Sequence, residues 1–97
     1  MFWLLIYELV DDYLERRAPL RQAHLALAQD AVLRGDLVLA GALADPADEA
    51  FLVWRVDDAS VIEEFVKHDP YVQHGLVTNR RIRQWNVVIG ADAEPLN

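Results

Sequence analysis

His24 and Asp69 are the two residues of this 97-residue chain best suited to move a proton. An imidazole titrates near neutrality. A carboxylate that accepts a hydrogen bond from one ring nitrogen fixes the tautomer and leaves the other nitrogen free as a base. In an apolar pocket such a pair can shift a proton beside a carbonyl or carboxylate. Two further side chains fit the same chemistry. Arg21, three residues before His24 on a neighbouring helical face, can hold a substrate carboxylate bidentately. Tyr71, two residues after Asp69, can offer a hydroxyl. Each has a plainer reading: a core histidine on a backbone carbonyl, an aspartate that opens a turn, a solvated arginine, a packed tyrosine. Spacing alone does not choose between them.

The elements that must position these residues are legible in the hydropathy pattern. Leu20, Ala23, His24, Leu27, Ala28 and Ala31 fall on one face of a helix running from Pro19 to Gly35, so His24 sits in the stripe that faces the core. Pro19 suits a helix start and Gly35 a left-handed stop. Phe2 to Leu9 is apolar on both alternating faces, the pattern of a strand covered on both sides. Leu37 to Leu43 reads as a second strand, with Gly41 leaving a gap on one face. Asp45 to Ala50 is a polar turn, and Phe51 to Val56 a third strand. Ser60 and Glu63 have capping-box spacing ahead of a second helix, which Pro70 ends. Asp69-Pro70-Tyr71 then reads as a turn, His74-Gly75 as a second break, and Val77 to Ile89 as a last strand. The tail, 91–97, reads as loose, and the rest as a single domain.

The order βαββαβ predicts an α+β, ferredoxin-like fold: a four-stranded antiparallel sheet, both helices on one face, the first and third strands central. Two helices cover only one face of that sheet. The apolar outer face predicts a homodimer packed sheet to sheet.

Composition removes several function classes. A formal net charge of -7, with Arg80, Arg81 and Arg83 as the one local basic run, argues against nucleic acid as a partner. Trp3, Trp54 and Trp85 therefore suit core or interface better than base stacking. With no cysteine there is neither a disulfide nor a thiolate nucleophile. The segment MFWLLIYELV is too short to span a membrane and lacks a signal peptide's basic start, so a cytoplasmic, membrane-free protein is expected. His68, Asp69 and His74 match no standard zinc spacing, so no metal is expected. No glycine-rich phosphate loop or nucleophile elbow is present.

Three stretches together resemble the YciI-like (YCII-related) family. They are DDYLERRAPLRQAHLALAQDAVLRGDLVLAGAL, then DASVIEEFVKHDPYVQHGLV, then a strand with a tryptophan. The most specific parts are Arg21 to Leu25, the strand ending at Gly41, and Asp69-Pro70-Tyr71 with Gly75-Leu76. The resemblance implies a dimeric α+β barrel, similar in architecture to muconolactone isomerase and chloromuconolactone dehalogenase. It implies that His24 and Asp69 form the family's proposed catalytic dyad, in a pocket between helices and sheet. A few related proteins eliminate halide from chlorinated lactones or hydroxyquinones. In this chain Gln22 stands where a proline often precedes the Ala-His pair.

The expected function is a small enzyme without a cofactor, a lyase or isomerase acting on a small organic acid or lactone. His24 would take or relay the proton, Asp69 would orient it, and Arg21 or Tyr71 would hold the substrate. The alternative is a non-catalytic dimeric module that binds a small ligand or a partner protein.

Overall fold

The computed structural model describes residues 1–90. Its strands are β1 (Phe2–Leu9), β2 (Leu37–Ala42), β3 (Glu49–Arg55) and β4 (Val77–Trp85). They form one sheet in the order β2-β3-β1-β4, with all three pairings antiparallel. Between them lie α1 (Tyr13–Arg16), a 3-10 turn (Ala18–Leu20), α2 (Arg21–Leu33), α3 (Ser60–His68) and α4 (Pro70–Gln73). This is the expected α+β ferredoxin-like plan, with β1 and β3 central.

Strand register divides the sheet into two faces. Leu5 and Tyr7 of β1 pair with Leu52 and Ala50 of β3 and point towards the helices. Leu5 and Trp54 are fully buried there, beneath Ile62, Phe65 and Val66 of α3. The Trp54 and Phe65 rings meet edge to face at 5.0 Å. Each large side chain so buried stabilises the fold by about 1.5–3 kcal/mol. On the outer face Phe2, Leu4 and Ile6 pair with Arg55, Val53 and Phe51.

The two main helices fill their side of the sheet unequally. Where α3 buries Ile62, Phe65 and Val66, α2 buries only Ala28 and Ala31. Alanine carries too few atoms to fill the space over β2 and β3. A cavity of about 380 Å³ opens there.

Several local expectations are corrected. The Ser60–Glu63 capping box does not form. Ala59 is the N-cap residue, and Asp58 Oδ1 accepts from the Ser60 N–H at 2.6 Å. The aspartate two residues upstream reaches the free amide first, as such side chains do at turns. Asp69-Pro70-Tyr71 is more than a turn: Asp69 is the N-cap of α4. The last strand ends at Trp85, so Val87 and Ile89 lie beyond it, and Ile89 is 87% exposed. Ala23 is exposed although it falls on the predicted stripe. Trp54 is core and Trp3 donates Nε1–H to the Val56 carbonyl, whereas Trp85 is exposed. The expected loose tail lies outside the described residues.

Candidate functional site

Asp69 is placed by its neighbour Pro70. A residue before proline is pushed to extended backbone, and Asp69 adopts ψ 117°. That ends α3 and turns the carboxylate back towards the start of α4, where Oδ1 accepts the Tyr71 N–H at 3.0 Å. The carboxylate is wholly buried. Two distant elements complete its shell. The Tyr7 hydroxyl of β1 donates to Oδ2 at 2.8 Å, and His24 Nδ1 of α2 lies 2.8 Å from Oδ1. Residues 7, 24 and 69 thus meet from three elements, and the predicted His24–Asp69 pairing is present in the structure.

The protons in this network follow from the donors. Burial, then the Asp69 charge, pushes the Tyr7 hydroxyl well above its usual pKa of 10.0, so it keeps its proton and donates. A carboxylate already accepting from Tyr7 and Tyr71 offers lone pairs and no proton. His24 Nδ1–H therefore donates to Oδ1. Nε2 is left without a partner among the described residues, on a ring that lines the cavity. The His24 ring also stacks on Tyr71, with centroids 3.8 Å apart and planes at 9°. The bond fixes the tautomer and the stack fixes the ring plane.

Tyr71 is buried, and Tyr13 meets its ring edge-on at 5.7 Å. Its hydroxyl is buried without a hydrogen-bond partner among the described residues. Burial, and next the nearby Tyr13, raise its pKa above 10.0. Arg21 pulls the other way, standing close enough to favour the ionised form without closing a well-formed hydrogen bond. The Arg17 guanidinium lies over the Tyr13 ring at 5.2 Å. Arg17 and Arg21 both line the cavity, and its lining contains no Asp or Glu. Its apolar wall includes Leu25, Ala28 and Val32 of α2 and Ala42, Ala50 and Leu52 of the sheet.

The structure therefore brings together all four predicted site residues: His24, Asp69, Arg21 and Tyr71. Sequence reasoning missed Tyr7, Tyr13 and Arg17. Tyr7 carried a usable signal, because a hydroxyl on the inward face of a buried strand needs a partner. Gly41 lines the cavity through backbone: its pairing with Phe51 puts its missing side chain on the outer face. His68 and His74 turn away from Asp69. Their Nδ1 atoms meet the carbonyls of Glu64 and Pro70 at 2.9 and 3.0 Å.

The family model of the YCII-related domain matches residues 1–86. This chain belongs to the YCII-related domain family. Its fold is similar to the solved structure of 5-chloro-2-hydroxyhydroquinone dehydrochlorinase (TftG) from Burkholderia phenoliruptrix, in complex with 2,5-dihydroxybenzoquinone. The TM-score is 0.75 at 21% identity, covering 90% of this chain and 95% of that one. A NIPSNAP family protein from Agrobacterium tumefaciens is similar with a TM-score of 0.58 at 16% identity, covering 99% and 97%. At these identities the likeness speaks for the fold. No curated protein matches the sequence. No helix among the described residues is long and apolar enough to cross a membrane.

Proposed function

We propose that this YCII-related chain is a small enzyme of the lyase or isomerase type, acting on a small organic acid or lactone with His24 as general base. The observation that carries this reading is the His24 ring itself. Its Nδ1–H is held by a buried carboxylate while Nε2, without a protein partner among the described residues, belongs to a ring in the cavity wall. Nε2 takes a proton from a substrate carbon. The electron pair left behind forms a double bond as a leaving group departs, or the proton returns at another carbon. Asp69 stabilises the imidazolium formed in between, and general bases so placed contribute about 10²–10⁴ in rate. Arg21 and Tyr71 hold the substrate. The step needs no cofactor, because the imidazole accepts the proton and then either returns it to another substrate carbon or, after a leaving group has departed, releases it to water. The likeness to a dehydrochlorinase supports the reading, since removing hydrogen chloride is a proton abstraction coupled to departure of chloride.

The test is to incubate the protein in D₂O with a panel of lactones, unsaturated acids and chlorinated acids. Proton NMR follows deuterium uptake and product formation, an electrode follows chloride, and His24→Ala is the blank. Conversion of at least one substrate by the wild type and not by the blank is expected. If no substrate reacts above the blank while ligands still bind both proteins, the chain is a binding module.

We also propose that the protein is a homodimer through the outer sheet face. Leu4, Phe51 and Val53 are half-buried there beside Phe2 and Ile6, which the single chain already covers, with Arg81 and Arg83 of β4 alongside. A face of this kind suits a two-fold, self-complementary contact.

A further inference from the structure

The charges around the cavity differ from those of the rest of the chain. Asp and Glu outnumber Lys and Arg, 16 to 9. Yet the cavity lining holds two guanidiniums, Arg17 and Arg21, and no carboxylate. Neither arginine is ion-paired among the described residues, although acidic residues are abundant on the surface. Both lie close to one aromatic pair. Arg17 lies on Tyr13, Tyr13 meets Tyr71, and Arg21 is the cation that acts on the Tyr71 hydroxyl. That hydroxyl is a buried donor with no acceptor among the described residues. Proteins seldom leave such a group unmatched without a reason.

We propose that Arg17 and Arg21 form a carboxylate clamp, and that the cavity selects small organic acids in their anionic form over neutral lactones, amides and esters. The acid oxygens lie between the two guanidiniums, and an oxygen near Arg21 supplies the acceptor that Tyr71 lacks. The carbon skeleton extends past His24 along Leu25, Ala28 and Val32. At about 380 Å³ the cavity is near the small end of ligand sites and suits a single-ring acid. In an acidic protein the local arginine pair is also what draws an anion in. The clamp rests on the proposed site but concerns binding, and its test does not need turnover.

The experiment uses benzoate and benzamide, which share shape and differ in charge, with cyclohexanecarboxylate as a saturated acid. Each is titrated into the full chain while amide NMR signals of His24, Ala28 and Tyr71 are followed. Benzoate or the saturated acid should shift these signals to saturation, and benzamide should bind about tenfold or more weakly. Arg17→Gln and Arg21→Gln should each weaken acid binding by about tenfold, and Arg21→Lys should recover part of it. Unchanged far-UV circular dichroism shows that the variants are folded. Equal binding of acid and amide overturns the clamp, as does acid binding indifferent to both substitutions. Failure of both acids to perturb the cavity also overturns it. If acids bind as expected and no substrate ever turns over, the clamp stands and the enzyme reading falls. If neutral lactones turn over at a rate indifferent to both arginines, the enzyme reading stands and the clamp falls.

Discussion

His24 Nδ1 lies 2.8 Å from Asp69 Oδ1, and that aspartate is wholly buried. The pair is held from both sides, by the Tyr7 hydroxyl on the far carboxylate oxygen and the Tyr71 ring against the imidazole. An amide in place of the carboxylate keeps the shape and changes the donors. In Asp69→Asn the amide oxygen stays at the Oδ1 position, because the Tyr71 N–H and the His24 Nδ1–H both donate there, and the amide nitrogen faces the Tyr7 hydroxyl, which turns to accept. Nitrogen NMR should therefore show His24 keeping its proton on Nδ1. If the proposed reaction holds, turnover should still fall by about 10²-fold or more with the fold intact, because the imidazolium loses its charged partner. A ring proton moved to Nε2 would show that the Tyr71 N–H does not fix the amide.

Tyr7→Phe tests the other side of the carboxylate. It removes the donor to Oδ2 and leaves a buried acceptor unmatched, a loss of about 1–3 kcal/mol in denaturant titration. Unchanged stability would mean that the hydroxyl has no structural role.

Tyr7 and Tyr71 also predict an alkaline limit. Both hold their protons more tightly in the folded protein than at the ordinary value of 10.0. Their contribution is complete below that value. Above it the unfolded chain releases these protons while the native state keeps them, so the unfolded state gains and stability falls as pH rises. The slope is about 1.4 kcal/mol per pH unit for each such group. Equilibrium unfolding between neutral and strongly alkaline pH should show the decline, and Tyr7→Phe should make it shallower. A flat profile that Tyr7→Phe does not alter would contradict these raised values.

The corrected cap of α3 makes a separate prediction. Asp58 is held below its usual value of 3.8, first by the Ser60 backbone N–H. Its contribution is present above that value and lost as pH falls through the lower, folded-state one. Asp58→Ala should therefore destabilise the protein at neutral pH and matter less in acid. Glu63→Ala should change little, and Ser60→Ala should cost part of what Asp58→Ala does, because the Ser60 hydroxyl also favours the Asp58 charge. A larger effect of Glu63→Ala than of Asp58→Ala in thermal melts would restore the capping box.

The outer sheet face predicts a dimer whose mass depends on one position. Val53 lies at its centre, paired with Leu4. Val53→Lys places a charge there, which a buried interface cannot accept without a partner. Sedimentation should give a dimer for the wild type and a monomer for Val53→Lys. A wild-type monomer at high concentration would end the proposal.

Hydropathy period alone determined most of the architecture. The two-faced strand at Phe2 to Leu9, the stripe carrying His24 and the break at Asp69-Pro70 are local patterns, and local patterns set element type and order. Topology rules then limited how those elements could pack, which put α2 and the end of α3 on one face of the sheet. That left a His24–Asp69 pair possible, and the resemblance to the YCII-related family singled it out, although 45 residues separate the two. What only the tertiary structure decided was the company they keep. Tyr7 looked like one more core residue of β1, and its role depends on register and on a 2.8 Å approach across 62 residues of sequence. Arg17 and Tyr13 gained meaning only when the short α1 folded beside Tyr71. The family resemblance implied a pocket between helices and sheet, but no pattern in the residues showed why one should open or what would line it. The cavity arises because α2 buries alanines opposite a sheet that α3 covers with larger side chains, and a volume left between two elements belongs to neither one's pattern.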